Sequence, residues 1–433
     1  MPLRLATKDA DFEPAFAAFL ASKREVSADV EETVRQIIAD VRSRGDAALM
    51  EYSHRFDAVD LAACGLRIEP EEIRRAVNAC DPVTLEALAV AKQRIEAYHR
   101  RQLPQDVQFS DDVGAELGWR WSPVAAVGLY VPGGLASYPS SLLMNAVPAK
   151  VAGVPRIAIA VPAPRGVINP LVLAAADLAG LSEIYRIGGA QAVAALAYGT
   201  ETVTPVAKIV GPGNAYVAAA KRQVFGRVGI DAIAGPSEVL VIADQHNDPA
   251  WLAADLLAQA EHDTAAQSIL MTDDAEFAAR VERELERQLE SLPRRDIAGP
   301  SWREFGAVIL LASLEQAPAL ADRIAAEHVE IVTREPERLA AQIINAGAIF
   351  LGPYTPEVIG DYVAGSNHVL PTARSARFQS GLGVADFMKR TATLRLDAAS
   401  FKRLASPAMT LARAEGLAAH ERSVAVRLAP AQE

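Results

Sequence analysis

The chain has 433 residues, which at roughly 150 residues per domain makes about three domain-sized units, with core enough to need no cross-links. Its 43 lysines and arginines against 54 acidic residues give a net charge of −11, which argues against binding a phosphate backbone as the main role and leaves nucleic acid out of the expected partners. Only two cysteines occur, Cys64 and Cys80; that is too few for a disulfide framework and points to a reducing cytoplasm.

The opening stretch MPLRLATKDADFEPAF has acidic residues and a proline where an export signal needs an unbroken apolar run, so none is expected. Up to about residue 105 the pattern is helical, in DVEETVRQIIADVRSRGDAALMEYSHRF and LEALAVAKQRIEAYHRR, with no chemical motif. The uncharged run 121–149 has the length of a membrane span. Pro123, Pro132, Pro139, Pro148 and the Gly133-Gly134 pair break it into strand, loop and helix.

From about residue 120, short apolar runs alternate with alanine-rich helices: AAVGLYV, RIAIAVP, EIYRIGG and AKIVG, then EVLVIAD, SILMTD, AVILLA and AIFLG. Such alternation predicts an α/β protein of two Rossmann-like halves with parallel sheets, preceded by a helical N-terminal region. The tail from about 382 reads as helix plus strand with no place in either sheet.

Three turns at predicted strand ends can face a ligand, because ligands of open parallel sheets bind at the carboxyl ends of the strands. They are YVPGG with Tyr130, RIGGAQA with Gln191, and GPGNAY with Asn214. In the last, Gly211 and Gly213 allow a tight turn before a helix, and Asp231 follows Gly211 at the spacing of a ribose-binding acid, but Tyr216 stands where a dinucleotide fingerprint has its third glycine. The motif reads either as a phosphate cradle or as an ordinary strand-to-helix turn.

Histidines and carboxylates gather at other turns. In AQAEHD, Gln259 and His262 stand three apart at a helix end and can reach one point, as metal ligands or with His262 a structural histidine. Glu327-His328 sits at a helix-to-strand junction, Asp361 and His368 flank a turn in GDYVAGSNHVLP, and His420 follows Glu415 by five residues. This is the composition of a metal or acid–base site, although no His-Glu-x-x-His, Cys-x-x-Cys or Gly-x-Ser-x-Gly selects a chemistry. Both cysteines lie in the helical N-terminal region, so an aldehyde oxidation here calls for an activated water in place of a thiolate.

Taken together, VGLYVPGGLASYPSSLLMNAVPAKVAGV, IYRIGGAQAVAALAYGTETV, KIVGPGNAYVAAAKRQVF, AGPSEVLVIAD, LLAQAEHD, AAEHVEI, NAGAIFLGPYTPEVIGDYVAGSNHVLPT, GLGVADFMKRT and EGLAAHERSV resemble the histidinol dehydrogenase family in order and spacing, from about residue 24 to 427. The resemblance implies a zinc- and NAD-dependent enzyme that oxidises L-histidinol to L-histidine through a bound aldehyde, the last step of histidine biosynthesis. It implies zinc ligands Gln259, His262, Asp361 and His420, and a catalytic pair Glu327 and His328. Substrate contacts would be Ser237, His368 and Glu415 together with Gln259, His262, His328, Asp361 and His420; cofactor contacts would be Tyr130, Gln191 and Asn214.

It further implies a cytoplasmic homodimer whose C-terminal segment completes the partner's site. The expected division is an N-terminal segment 1–23; a first Rossmann-like domain of 24–129 and 237–381 with the zinc and catalytic residues; a cofactor domain 130–236; and a dimerisation segment 382–433. A relative of the same architecture acting on another small polar alcohol, such as a sulfonated diol, is the competing reading. Glu415 beside the substrate head favours a cationic amine or imidazole. A binding protein without turnover is a third.

Overall fold

Most of the apolar runs become buried strands in a computed structural model that describes residues 2–21, 28–132, 138–233 and 235–428. In chain order the strands are β1 (Leu3–Ala6), β2 (Val107–Ser110), β3 (Glu116–Pro123), β4 (Val127–Tyr130), β5 (Ile157–Ala160), β6 (Ile184–Tyr185), β7 (Lys208–Val210), β8 (Gly229–Ile230), β9 (Glu238–Ala243), β10 (Gln267–Thr272), β11 (Ala307–Leu310), β12 (His328–Val332), β13 (Ala348–Leu351) and β14 (Met388–Arg395).

Two parallel sheets carry the larger unit. One runs β6-β5-β4-β7-β8 and the other β1-β11-β10-β9-β12-β13. Counted within its own half, each has the order 3-2-1-4-5 of a doubly wound fold, so both have a switch point between their first and fourth strands. In β9, Val239, Val241 and Ala243 enter a core with the helices Pro249–Ala260 and Ala275–Ser291, while Leu240 and Ile242 enter another with Phe12, Phe16 and Ile324. A strand covered on both sides must be apolar at every position, which is why these runs do not alternate. Among the described residues no helix is long and apolar enough to cross a membrane.

The chain divides into two compact units, Met1–Gln102 with Ala125–Phe387, and Leu103–Val124 with Met388–Glu433. In the small unit the tail finds its place: β14 pairs antiparallel with β3 over eight residues, from Met388↔Pro123 to Arg395↔Glu116, and β2 pairs with the other edge of β3. Asp397 and Ser400 form a capping box that starts the helix Ala398–Ala414, and the helix Ala418–Leu428 follows.

These observations move the expected boundaries. Val127–Tyr130 is the middle strand of the five-stranded sheet, so that domain begins before residue 130. The N-terminal helices pack on the same half: Val34, Ile37, Val41 and Leu49 share a core with Val193, Leu196, Val217 and Ile209. Helical periodicity shows that these helices have an apolar face but not which sheet it covers. Leu3–Ala6, expected to be a segment apart, is the edge strand of the six-stranded sheet beside β11.

Candidate active site

The histidine and carboxylate motifs converge at the amino ends of β9, β12 and β13, opposite the strand ends at which parallel sheets usually bind ligands. A helix after a parallel strand returns to the start of the next strand, so the C-terminus of Pro249–Ala260 delivers Gln259 and His262 to this edge. Asp248 caps that helix by accepting from the Ala250 amide, and Pro249 occupies its first position. The helix Glu357–Tyr362 after β13 brings Asp361, and Ser237 directly precedes β9.

One residue's backbone orients both expected catalytic groups. The Glu238 amide donates to Glu327 Oε2 at 3.0 Å, and the Glu238 carbonyl accepts from His328 Nδ1 at 3.1 Å. A carbonyl can only accept, so His328 carries its proton on Nδ1. Its Nε2 has no hydrogen-bond partner among the described residues and lies 3.8 Å from Asp361 Oδ1. A buried, unpartnered imidazole nitrogen is placed to receive a proton or a polar ligand atom.

The surroundings are strongly acidic. Burial pushes Glu327 up to about 7, against the influence of His328 and of the Glu238 amide. Burial opposes a charge on His328, but Glu357, Glu327 and Asp361 outweigh it and hold its pKa well above the usual value. Burial likewise works against the charge of Asp361, while His328, His368 and His262 keep that carboxyl below its ordinary range. His368 is held at both ring nitrogens, Nδ1 donating to the Asp361 carbonyl at 3.0 Å and Nε2 lying 3.1 Å from Ser141 Oγ. In this structure it anchors Asp361 instead of presenting a free nitrogen.

Glu357 and Glu330 went unnoticed in the sequence, and both are buried here. Gln259, also fully buried, lies with its amide against Glu357, and its hydrogen bonds are satisfied when the nitrogen faces that carboxyl, at 3.0 and 3.2 Å, and Oε1 faces the opposite side. An amide oxygen, the imidazole of His262 and the carboxylate of Asp361 form an N/O donor set suited to zinc, at a helix C-terminus whose dipole favours a cation. Among the described residues no group of three or more His, Cys, Asp or Glu could by itself hold a metal ion. Glu415, which ends the helix Ala398–Ala414, and His420 in the last helix are exposed and belong to the small unit.

The three expected cofactor turns meet at the carboxyl end of the five-stranded sheet. Gly211 has φ +110°, and a Cβ there would lie 2.1 Å from the Tyr130 carbonyl oxygen, so only glycine allows β4 and β7 to close together at the switch point. The Tyr130 hydroxyl accepts from the Gly189 amide at 3.0 Å, and burial pushes its pKa up to about 12. Gln191 is buried in the helix that Gly189 begins, and the exposed Asn214 caps the helix Ala215–Val224 by accepting from the amides of Tyr216 and Val217. Gly133 and Gly134 of the YVPGG turn lie outside the described residues.

Asp231 does not serve as a ribose acid here. Its Oδ2 accepts from the Gly211 amide at 2.7 Å and its Oδ1 pairs with Lys221, whose Nζ also donates to the Gly211 carbonyl at 3.0 Å. Both side chains are almost fully buried, so the pair holds the turn from beneath. Lys221→Met should therefore cost about 3–5 kcal/mol in a urea titration, because it leaves a buried carboxylate without its partner. Adding Asp231→Asn should recover part of the loss; a single variant as stable as the parent would contradict the clamp.

A tandem pair of doubly wound sheets, with a buried acid–base pair on one and a glycine-tight switch point on the other, defines an α/β protein with the features of an enzyme site. Comparison makes this specific. The histidinol dehydrogenase family model matches residues 20–428, and the chain is 64% identical over 428 residues to a histidinol dehydrogenase of Bradyrhizobium diazoefficiens, covering 99% of each. It is 67% identical to one of Nitrobacter winogradskyi, covering 99% of this chain and 100% of that one. The crystal structure of histidinol dehydrogenase from Elizabethkingia anophelis superposes with a TM-score of 0.94 at 34% identity, covering 99% of this chain and 98% of the other. The chain belongs to the histidinol dehydrogenase family.

Proposed function

We propose that the chain oxidises L-histidinol to L-histidine with two molecules of NAD per turnover, through an aldehyde that stays bound, as a zinc-dependent cytoplasmic homodimer at the last step of histidine biosynthesis. The observation that carries this reading is the Glu327–His328 pair, clamped through Glu238 with His328 Nε2 left open. When bound, zinc at Gln259, His262, Asp361 and His420 would anchor the substrate's amino and imidazole nitrogens, and NAD at the Tyr130, Gln191 and Asn214 turns would accept hydride.

The residues themselves move the protons. In its neutral form His328 takes the hydroxyl proton at Nε2 as the carbon gives up its first hydride, leaving the aldehyde; because nearby carboxylates favour the imidazolium, this step should quicken as pH rises. Glu327, in its carboxylate form, takes a proton from the water that adds to that aldehyde, and the hydrate gives up the second hydride to become the acid. Ser237, Glu415 and, by exchanging its Nε2 contact with Ser141, His368 are assigned to the substrate, with Glu415 and His420 supplied by the partner subunit. Substrate charge fits the same picture: an amine or imidazole, cationic in solution and neutral once it ligates a metal, suits a pocket with Glu327, Glu357 and Asp361 nearby, whereas a sulfonate would face like charge. Purified protein should form NADH on addition of L-histidinol, lose this on chelation and regain it with zinc; activity unaffected by exhaustive chelation would contradict the zinc assignment.

A further inference from the structure

We infer that Glu357 is a positioning residue, fixing the Gln259 amide with its oxygen toward the ligand and backing the ring of His328. The inference rests on the proposal that Gln259 helps to hold zinc. Glu357 is 1% exposed and its carboxyl lies against the Gln259 amide; with the amide in the orientation that satisfies both side chains, both carboxylate oxygens are within hydrogen-bond distance of the nitrogen, at 3.0 and 3.2 Å. Its Oε2 stands 3.5 Å from His328 Nδ1, and its backbone amide donates to Glu330 Oε1 at 2.6 Å, which ties the helix start to β12 two residues beyond His328.

A primary amide rotates between two nearly equivalent placements, one presenting oxygen and the other NH2. Only the first suits a cation. In its carboxylate form Glu357 accepts from NH2 and repels the carbonyl oxygen, so it favours the placement that a cation requires. Neither a hydroxyl nor an amide at 357 would discriminate so sharply, because each can both donate and accept. Partners of this kind behind a ligating side chain typically change metal affinity by about 10–100-fold when removed.

The test uses the full-length protein stripped of metal and titrated with zinc against a chromophoric chelator, which reads affinity without turnover. The parent should bind about one zinc per chain; Glu357→Ala, with a parent-like circular dichroism spectrum, should bind roughly 10–100-fold more weakly. Glu357→Gln, whose amide oxygen can still accept from Gln259, should bind at least about threefold more tightly than the alanine variant. If Glu357→Ala does not fold, Glu357→Asp, which keeps the charge but withdraws it by one methylene, replaces it and should also weaken zinc. A folded alanine or aspartate variant with parental affinity, or a glutamine variant no better than alanine, overturns the inference. A parent that takes up no zinc overturns the zinc proposal itself, and this inference with it.

Discussion

Glu327→Gln is expected to slow oxidation of the aldehyde by about 100- to 10,000-fold, the usual worth of a general base, and to slow oxidation of the alcohol far less. The asymmetry follows from the chemistry: only the second oxidation consumes water, and glutamine keeps the shape of glutamate while losing its ability to accept a proton. The Glu238 amide can still donate to the carbonyl oxygen of the substituted side chain, so the local geometry is retained. pH supplies a second signature. Burial raises Glu327 to about 7, and the group works only when ionised, so aldehyde oxidation should fall as pH drops below about 7. The variant should lose that limb. His328→Asn, by contrast, should depress alcohol oxidation most, since its Nε2 serves the alcohol directly. Single-turnover measurements begun from L-histidinol and from the aldehyde separate the two; equal losses in Glu327→Gln would contradict the assignment.

Mixing two inactive variants is expected to restore activity. Gln259, His262 and Asp361 come from the large unit and His420 from the small one. If a partner subunit supplies His420, a dimer of a His262→Ala chain with a His420→Ala chain has one site with both lesions and one with neither. Random assortment then restores about a quarter of the sites, and purified mixed dimers about half. Each variant alone should remain inactive. Mixed dimers without activity would show that each chain builds its site from its own residues, and would remove the trans assignment of Glu415 and His420.

Much of the fold could be read from the sequence because buried parallel strands leave continuous apolar runs that punctuate helices, as in EVLVIA and RIAIA. Residues 28–100 were less legible: their amphipathic helices are plain, but the sheet they cover is fixed only by tertiary packing. Strand β3 was hidden for another reason, since its partner β14 lies more than 260 residues away and neither is strongly apolar.

At the site, side chains with distinctive chemistry stood out, and groups acting through the backbone or through other side chains did not. Glu238 orients the catalytic pair with its amide and carbonyl, which every residue type but proline possesses. Glu330 could have been noticed as a carboxylate inside the apolar strand HVEIV, on the same face as His328 two residues earlier. Glu357 had a signal too, four residues before Asp361 and so on the same side of a helical turn. Asp231 shows the opposite error: correct spacing for a ribose acid, but a carboxylate already committed to Lys221 and the Gly211 amide.

The most direct test of the proposed chemistry is the amount of NADH formed per L-histidinol consumed, measured with substrate limiting and NAD in excess. Two successive oxidations at one carbon require two NADH and yield L-histidine, without free aldehyde accumulating. One NADH per substrate, with the aldehyde released as the end product, would contradict the account.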